Sequence, residues 1–224
     1  MTVPPVDVVF LVDVDNTLLD NGAIIAELRR RLVQLFGVEG DRRYWEIFEE
    51  LFREPGFADY FGALQRYSLE RPRDPHIFDI SRFLLHYPFA ERVYPRALET
   101  IAALGRRGPV VIVSDGDVVY QPHKIERSGL WEAARRAGGG VLVYVHKETM
   151  LDDIARRYPA RRYVMADDKI FLLAAMKATW KERLTTVFVR QGHYAHDAKL
   201  LAASPPADIT VDSIGDLVEI ADSL

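Results

Sequence analysis

Short apolar runs rich in β-branched residues recur along the chain and alternate with stretches of three-to-four periodicity. The runs cover residues 6–12, 110–113, 141–145, 163–165, 186–189 and 209–211. Continuous apolar runs predict strands covered on both faces, and their alternation with helical patterns predicts a parallel sheet. The connecting segments read as helices: residues 97–104 stop before Gly105, a residue suited to a helix C-terminus, and residues 148–158 stop before Pro159. The predicted class is α/β, a doubly wound parallel sheet. Residues 20–94 depart from it. They hold no strand-like run, and residues 24–36, 41–52, 57–69 and 75–87 carry apolar side chains at helical spacing, punctuated by Gly37, Gly40, Pro55, Gly56, Pro72 and Pro75. Four helices are too many for one crossover. The pattern therefore predicts an α-helical cap domain, residues 20–94, inserted into a core domain formed by residues 1–19 and 95–224. Aromatic residues from Tyr44 to Tyr67 are expected to form most of the core of that cap.

In a doubly wound sheet, ligands bind outside the carboxyl ends of the strands. Four predicted strands end in reactive residues. The first ends in Asp13-Val14-Asp15-Asn16-Thr17, the second in Ser114-Asp115-Gly116, the third in His146-Lys147, and the fourth in Asp167-Asp168. Side chains two apart on a strand share a face, so Asp13 and Asp15 point the same way. Two like charges held together disfavour each other's ionisation, and a divalent cation with a phosphoryl substrate would offset that cost. Alone, each ending has an ordinary reading: a turn, a helix cap, a solvated lysine or first-turn acids. Their order along one sheet edge favours chemistry.

These motifs resemble the haloacid dehalogenase (HAD) superfamily of phosphoryl-transfer enzymes: a strand ending DxDxT, a strand ending in Ser114, a lysine ahead of the last motif, and an acidic pair. The resemblance covers the whole chain, with residues 20–94 where an α-helical type 1 cap is inserted. It implies that Asp13 is the nucleophile and that Asp15 is the proton donor and acceptor. Thr17, Ser114 and Lys147, with backbone N–H groups near Asp115 and Gly116, are expected to bind phosphate. Magnesium would take Asp13, the backbone carbonyl of Asp15, and the Asp167-Asp168 pair, with Asp167 direct and Asp168 through water. Many members carry Gly-Asp-x-x-x-Asp at the last motif; here Phe171 stands where the distal acid would be, so the adjacent pair applies. Lys124 competes for the phosphate role but lies ten residues past Ser114, in the following helix, and ranks below Lys147.

Asp15 argues against dehalogenation, since dehalogenases of the family lack that acid. No lysine precedes Lys124, so a Schiff-base lysine in the cap, the phosphonatase device, is absent. The leading expectation is a magnesium-dependent phosphatase acting on a small phosphorylated metabolite. A sugar phosphomutase using the same aspartates, or a catalytically silent binding protein of the same fold, are the alternatives. Specificity is expected in the cap, where Arg42, Arg43, Tyr44 and Arg66 are candidate contacts. His193 and His196, three residues apart, make a weak metal pair.

Composition narrows this further. The 224 residues are 49% hydrophobic and 28% charged, ordinary for a globular protein. The net charge of −4 argues against nucleic acid or a membrane surface as partner. Without cysteine, disulfides and thiolate chemistry are excluded. No apolar run approaches the ~18 residues of a membrane span. The first five residues lack a basic, cleavable leader. A cytoplasmic monomer or homodimer is expected.

Overall fold

The computed structural model describes residues 4–53 and 56–224; the leader reading at residues 1–3 and the turn at Pro55 lie outside them. Six strands form one parallel sheet in the order β3-β2-β1-β4-β5-β6. They are β1 (Val6–Val12), β2 (Val110–Asp115), β3 (Val141–Tyr144), β4 (Ala160–Asp167), β5 (Leu184–Val189) and β6 (Ile209–Val211). Every predicted apolar run is a strand. The central β1 pairs Phe10 with Val110 on one side and Val12 with Ala166 on the other.

Period-2 alternation divides β1 between two cores. Val8, Phe10 and Val12 enter one; Val9 and Leu11 enter the other. The helices are α1 (Asn21–Arg53), α2 (Tyr60–Glu70), α3 (His76–His86), α4 (Ala97–Gly105), α5 (Tyr120–Arg127), α6 (Leu130–Arg136), α7 (Leu151–Arg157) and α8 (Ile170–Trp180), of which α4 to α8 cover the two faces. The far end of α8 is held to the start of β4 by Trp180 stacked on Tyr163, with ring centroids 4.2 Å apart. No helix among the described residues is long and apolar enough to cross a membrane.

Between β1 and β2 lie α1, α2 and α3, a helical insertion. The first two predicted helices run together as α1, kinked at Gly37, whose φ of 74° and ψ of 176° suit glycine and few other residues. α1, α2 and α3 bury Leu28, Tyr44, Tyr67 and Leu84 against one another, and their core continues into the sheet's core through Leu18, Leu19 and Phe89. The two chain segments that join the insertion to the sheet lie side by side: Asp20 N–H donates to the Arg92 carbonyl at 2.8 Å, and Tyr94 N–H to the Leu18 carbonyl at 2.9 Å. This pairing sets the insertion over the carboxyl edge of the sheet.

Candidate active site

Because all six strands are parallel, the ends of β1, β2, β3 and β4 share one edge. Asp13 follows β1 and is 2% exposed. Its Oδ1 accepts a hydrogen bond from Lys147 Nζ at 2.6 Å, whereas its Oδ2 has no partner among the described residues. Lys147 opens a short turn after β3 and is fully buried. Its Nζ also donates to the Val113 carbonyl at 3.3 Å and lies 2.6 Å from Asp167 Oδ2, an ion pair by distance whose angles fall short of a hydrogen bond. Burial would push this amine toward neutrality; the Asp13, Asp167 and Asp115 carboxylates outweigh it and hold its pKa above the ordinary value. Asp115 Oδ1 accepts the Lys147 backbone N–H at 2.9 Å and so pins the turn that delivers the ammonium.

Asp167 ends β4 and Asp168 follows; both are fully buried. Lys169 N–H donates to Asp167 Oδ1 at 2.8 Å, and Asp168 N–H donates to Thr17 Oγ1 at 3.1 Å. Thr17 thus braces the acidic turn from a fully buried position rather than lining a cavity. Asp13, Asp167 and Asp168 each offer an oxygen within 4.8 Å of the others. At that separation two unit negative charges repel by about 3 kcal/mol at an effective dielectric of ~20. Burial first, and the neighbouring acids after it, raise the pKa of both Asp167 and Asp168. Lys147 and Lys169 are the nearby ammoniums, so three acids face two bases. Hard oxygen donors with an unbalanced charge suit a divalent cation such as magnesium. The oxygens without a hydrogen-bond partner are Asp13 Oδ2, Asp167 Oδ2 and both of Asp168. Asp167 Oδ2 is engaged by Lys147. Asp168 therefore has the freer carboxylate of the two, whereas the sequence reading favoured Asp167 for direct contact with a metal. Among the described residues, His193 and His196 join no such cluster.

Asp15 is held from another side. Lys124 Nζ donates to its Oδ1 at 2.6 Å and its Oδ2 at 2.8 Å. Gln121 Nε2 donates to Asp15 Oδ2 at 3.2 Å and to Ser114 Oγ at 2.7 Å. Both side chains come from α5, three residues apart on one buried face. The local sequence makes that helix start where it does: Asp117 Oδ1 accepts the N–H groups of Val119 and Tyr120, and Pro122 falls in the first turn, where its missing N–H costs nothing. Lys124, ranked below Lys147 from sequence, is brought onto Asp15 rather than onto Asp13; Gln121 escaped sequence reasoning altogether. The signal for both was their i, i+3 spacing in a helix opening beside a reactive strand end. One expected donor is not free: Gly116 N–H donates to the Tyr144 carbonyl at 2.9 Å, and a Cβ at Gly116 would stand 2.9 Å from Gln121.

A cavity of about 380 Å³ lies between this edge and the insertion, lined by Asp15, Asp115 and Lys169 below and by α1 and α2 residues above. None of the expected cap contacts lines it. Arg42 and Arg43 are tied to Glu39 and Glu70 on the outer surface, Tyr44 is buried with its hydroxyl on the Tyr60 carbonyl, and Arg66 is exposed.

Comparison with known proteins accords with this geometry. The crystal structure of a haloacid dehalogenase-like hydrolase from Burkholderia xenovorans is 58% identical to the chain, with 98% of each chain covered and a TM-score of 0.90. The chain belongs to the haloacid dehalogenase-like hydrolases. An L-2-haloacid dehalogenase from Xanthobacter autotrophicus is 14% identical, covering 98% of this chain and 99% of that one, with a TM-score of 0.62. A HAD hydrolase from Bacillus subtilis, determined bound to magnesium, is 16% identical, covering 98% and 100%, with a TM-score of 0.60. At these lower identities the likeness is one of fold. No family model matches the chain, and no curated protein matches it.

The acidic cluster makes a stability prediction. Asp168 has a raised folded-state pKa, so it costs stability progressively as pH rises from the ordinary carboxylate range up to that value; a bound cation removes the cost. At pH 8, magnesium at 100 times its dissociation constant should stabilise the protein by about 2.7 kcal/mol, a rise in melting temperature of about 5–10 °C. Asp168→Asn should melt higher than the wild type without metal and lose most of the magnesium-induced rise. Equal melting temperatures with and without magnesium in the wild type would contradict the metal assignment.

Proposed function

We propose that the chain is a magnesium-dependent phosphatase that removes phosphate from a small phosphorylated metabolite through an aspartyl-phosphate on Asp13. One observation carries this reading. Asp13 presents an oxygen without a hydrogen-bond partner beside a buried ammonium and two further acids, with a second carboxylate, Asp15, fixed two residues away.

Lys147 orients Asp13 by its Oδ1 and leaves Oδ2 to attack phosphorus. The bond from phosphorus to the leaving oxygen breaks as the bond to Oδ2 forms, and Asp15 supplies the proton that the leaving oxygen takes up. Asp15 then accepts a proton from a water whose oxygen attacks the same phosphorus, releasing inorganic phosphate and restoring Asp13. Ser114, held by Gln121, and Lys147 place a hydroxyl and an ammonium against the phosphoryl oxygens. Asp13 and Asp168, with Asp167 and the Asp15 carbonyl beside them, would hold magnesium, which neutralises charge on the transferring group when bound.

A dehalogenase reading draws on the fold likeness to L-2-haloacid dehalogenases. Displacement of halide from carbon needs no proton delivered to the leaving group, and the uncompensated acids beside Asp13 would repel a substrate carboxylate. The phosphatase reading gives both features a task. A sugar phosphomutase draws on the same aspartates but would need polar groups for sugar hydroxyls, and the wall contributed by the insertion is mainly apolar.

Two substitutions test the assignment. Asp13→Asn, assayed for phosphate released from an aryl phosphate with magnesium, should lower kcat on the order of ~10³-fold or more; full activity would contradict Asp13 as nucleophile. Lys124→Met keeps the side-chain length but frees Asp15; kcat should fall about 10²-fold while the circular dichroism spectrum is unchanged. Unchanged kcat would show that the Lys124–Asp15 pair does not position the proton carrier.

A further inference from the structure

Resting on the phosphatase reading, we propose that the leaving group is a flat, uncharged, apolar one: an aryl ring or a fused pair of rings. The wall of the cavity opposite the reactive carboxylates is built by Ile25, Phe48, Phe52, Phe57 and Tyr60. Among the described residues, nothing that the insertion contributes to the cavity is an acid or a base. Phe171 and Tyr194 close the cavity from the core side.

Two of these rings are poorly covered. Phe52 is 47% exposed and Phe171 is 39% exposed. Large aromatic side chains left in water at the mouth of a cavity gain free energy when an apolar partner covers them. Deeper in, the rings are fixed by one another: Phe48 and Tyr60 lie 4.9 Å apart, and Tyr60 meets Tyr120 edge-on at 5.4 Å. A preset aromatic wall favours offset or edge-on contact with a flat ligand. A volume of about 380 Å³ is near the lower end for ligand cavities and suits one or two rings beside the phosphate.

Charge supports the same choice. The ammoniums near the site are on the sheet-edge floor and face acids: Lys147 against Asp13 and Asp167, Lys124 against Asp15, and Lys169 beside the acidic turn. The arginines Arg42 and Arg43 of the insertion point outward into ion pairs. A leaving group carrying a carboxylate or a second phosphate would bring its charge against the apolar rings of the insertion, an unfavourable burial; the basic groups that line the cavity, Lys169, His146 and His193, lie on the core side, with the acids Asp15, Asp115 and Glu148 among them. A polyhydroxylated leaving group would lose hydrogen bonds to water and regain few from the insertion, whose described cavity residues offer only Asn21 and the Tyr60 hydroxyl as polar side-chain groups.

The test uses the intact protein with magnesium and pairs of esters whose leaving groups differ in charge rather than reactivity. kcat/KM for para-(hydroxymethyl)phenyl phosphate should exceed that for para-carboxyphenyl phosphate roughly tenfold or more, chiefly through KM. Phe52→Arg should narrow that gap, and Phe52→Ala should raise KM for α-naphthyl phosphate by a larger factor than for glycerol phosphate. Equal or better turnover of the carboxylated ester, with no change in the ratio in Phe52→Arg, would overturn the proposal while leaving the phosphatase reading intact. Calorimetric titration with a naphthyl phosphonate and its carboxylated analogue separates the remaining case. Preferential binding of the uncharged compound without turnover of any ester would keep the aromatic pocket and reject the phosphatase. Failure to bind either would reject the pocket.

Discussion

The buried ammonium of Lys147 organises everything around it. Three carboxylates, those of Asp13, Asp167 and Asp168, stand within 4.8 Å of one another in a region closed to water. Each like-charge pair costs about 3 kcal/mol even with a generous effective dielectric. Lys147 touches two of the three and leaves the third without a partner. A cluster so arranged is incomplete as a structural ion pair, because a buried charge without compensation destabilises the fold that contains it. Under the phosphatase reading a cation and a phosphoryl group would complete it.

The fold holds that cluster rigid from three directions. β1 and β4 are adjacent and in register, so Asp13 and the Asp167-Asp168 turn are neighbours by sheet geometry. Asp115 pins the Lys147 turn by its backbone N–H, and Thr17 pins Asp168 by its own. α5 adds a second unit, in which Gln121 and Lys124 hold Asp15 and Ser114 in one hydrogen-bonded group. Asp13 and Asp15, two residues apart in the chain, are thereby given different lysines. The insertion contributes no charge to this arrangement among the described residues; it supplies the aromatic wall over it.

Much of this was legible in the chain. Six β-branched runs are strands because parallel strands covered on both faces leave an uninterrupted apolar signature, and the reactive residues follow because parallel strands end on one edge. What could not be ranked or paired from the chain alone depends on distances that sequence does not carry. Lys124 is remote from Asp15 in the chain, and only the path of α5 brings them to 2.6 Å. That Lys147 engages Asp167 and not Asp168 is a matter of side-chain reach. The Gly116 N–H, expected to be free, was taken by the Tyr144 carbonyl because β2 extends to Asp115. Gly37 and Gly40 suggested a break, yet the chain passes Gly37 with a kink and the helix resumes, since the buried faces on either side pack into one core.

Under the phosphatase reading Asp13 Oδ2 attacks phosphorus rather than carbon, and the covalent intermediate distinguishes the two directly. The wild-type protein, mixed with magnesium and an aryl phosphate, quenched in acid and digested, should yield the peptide carrying Asp13 with the added mass of one phosphoryl group, convertible to homoserine by borohydride. The same protein mixed with a racemic haloacid should show no ester on Asp13 and release no halide. An ester on Asp13 with halide release, and no phosphoryl adduct from any phosphate, would contradict the account and make the chain a dehalogenase.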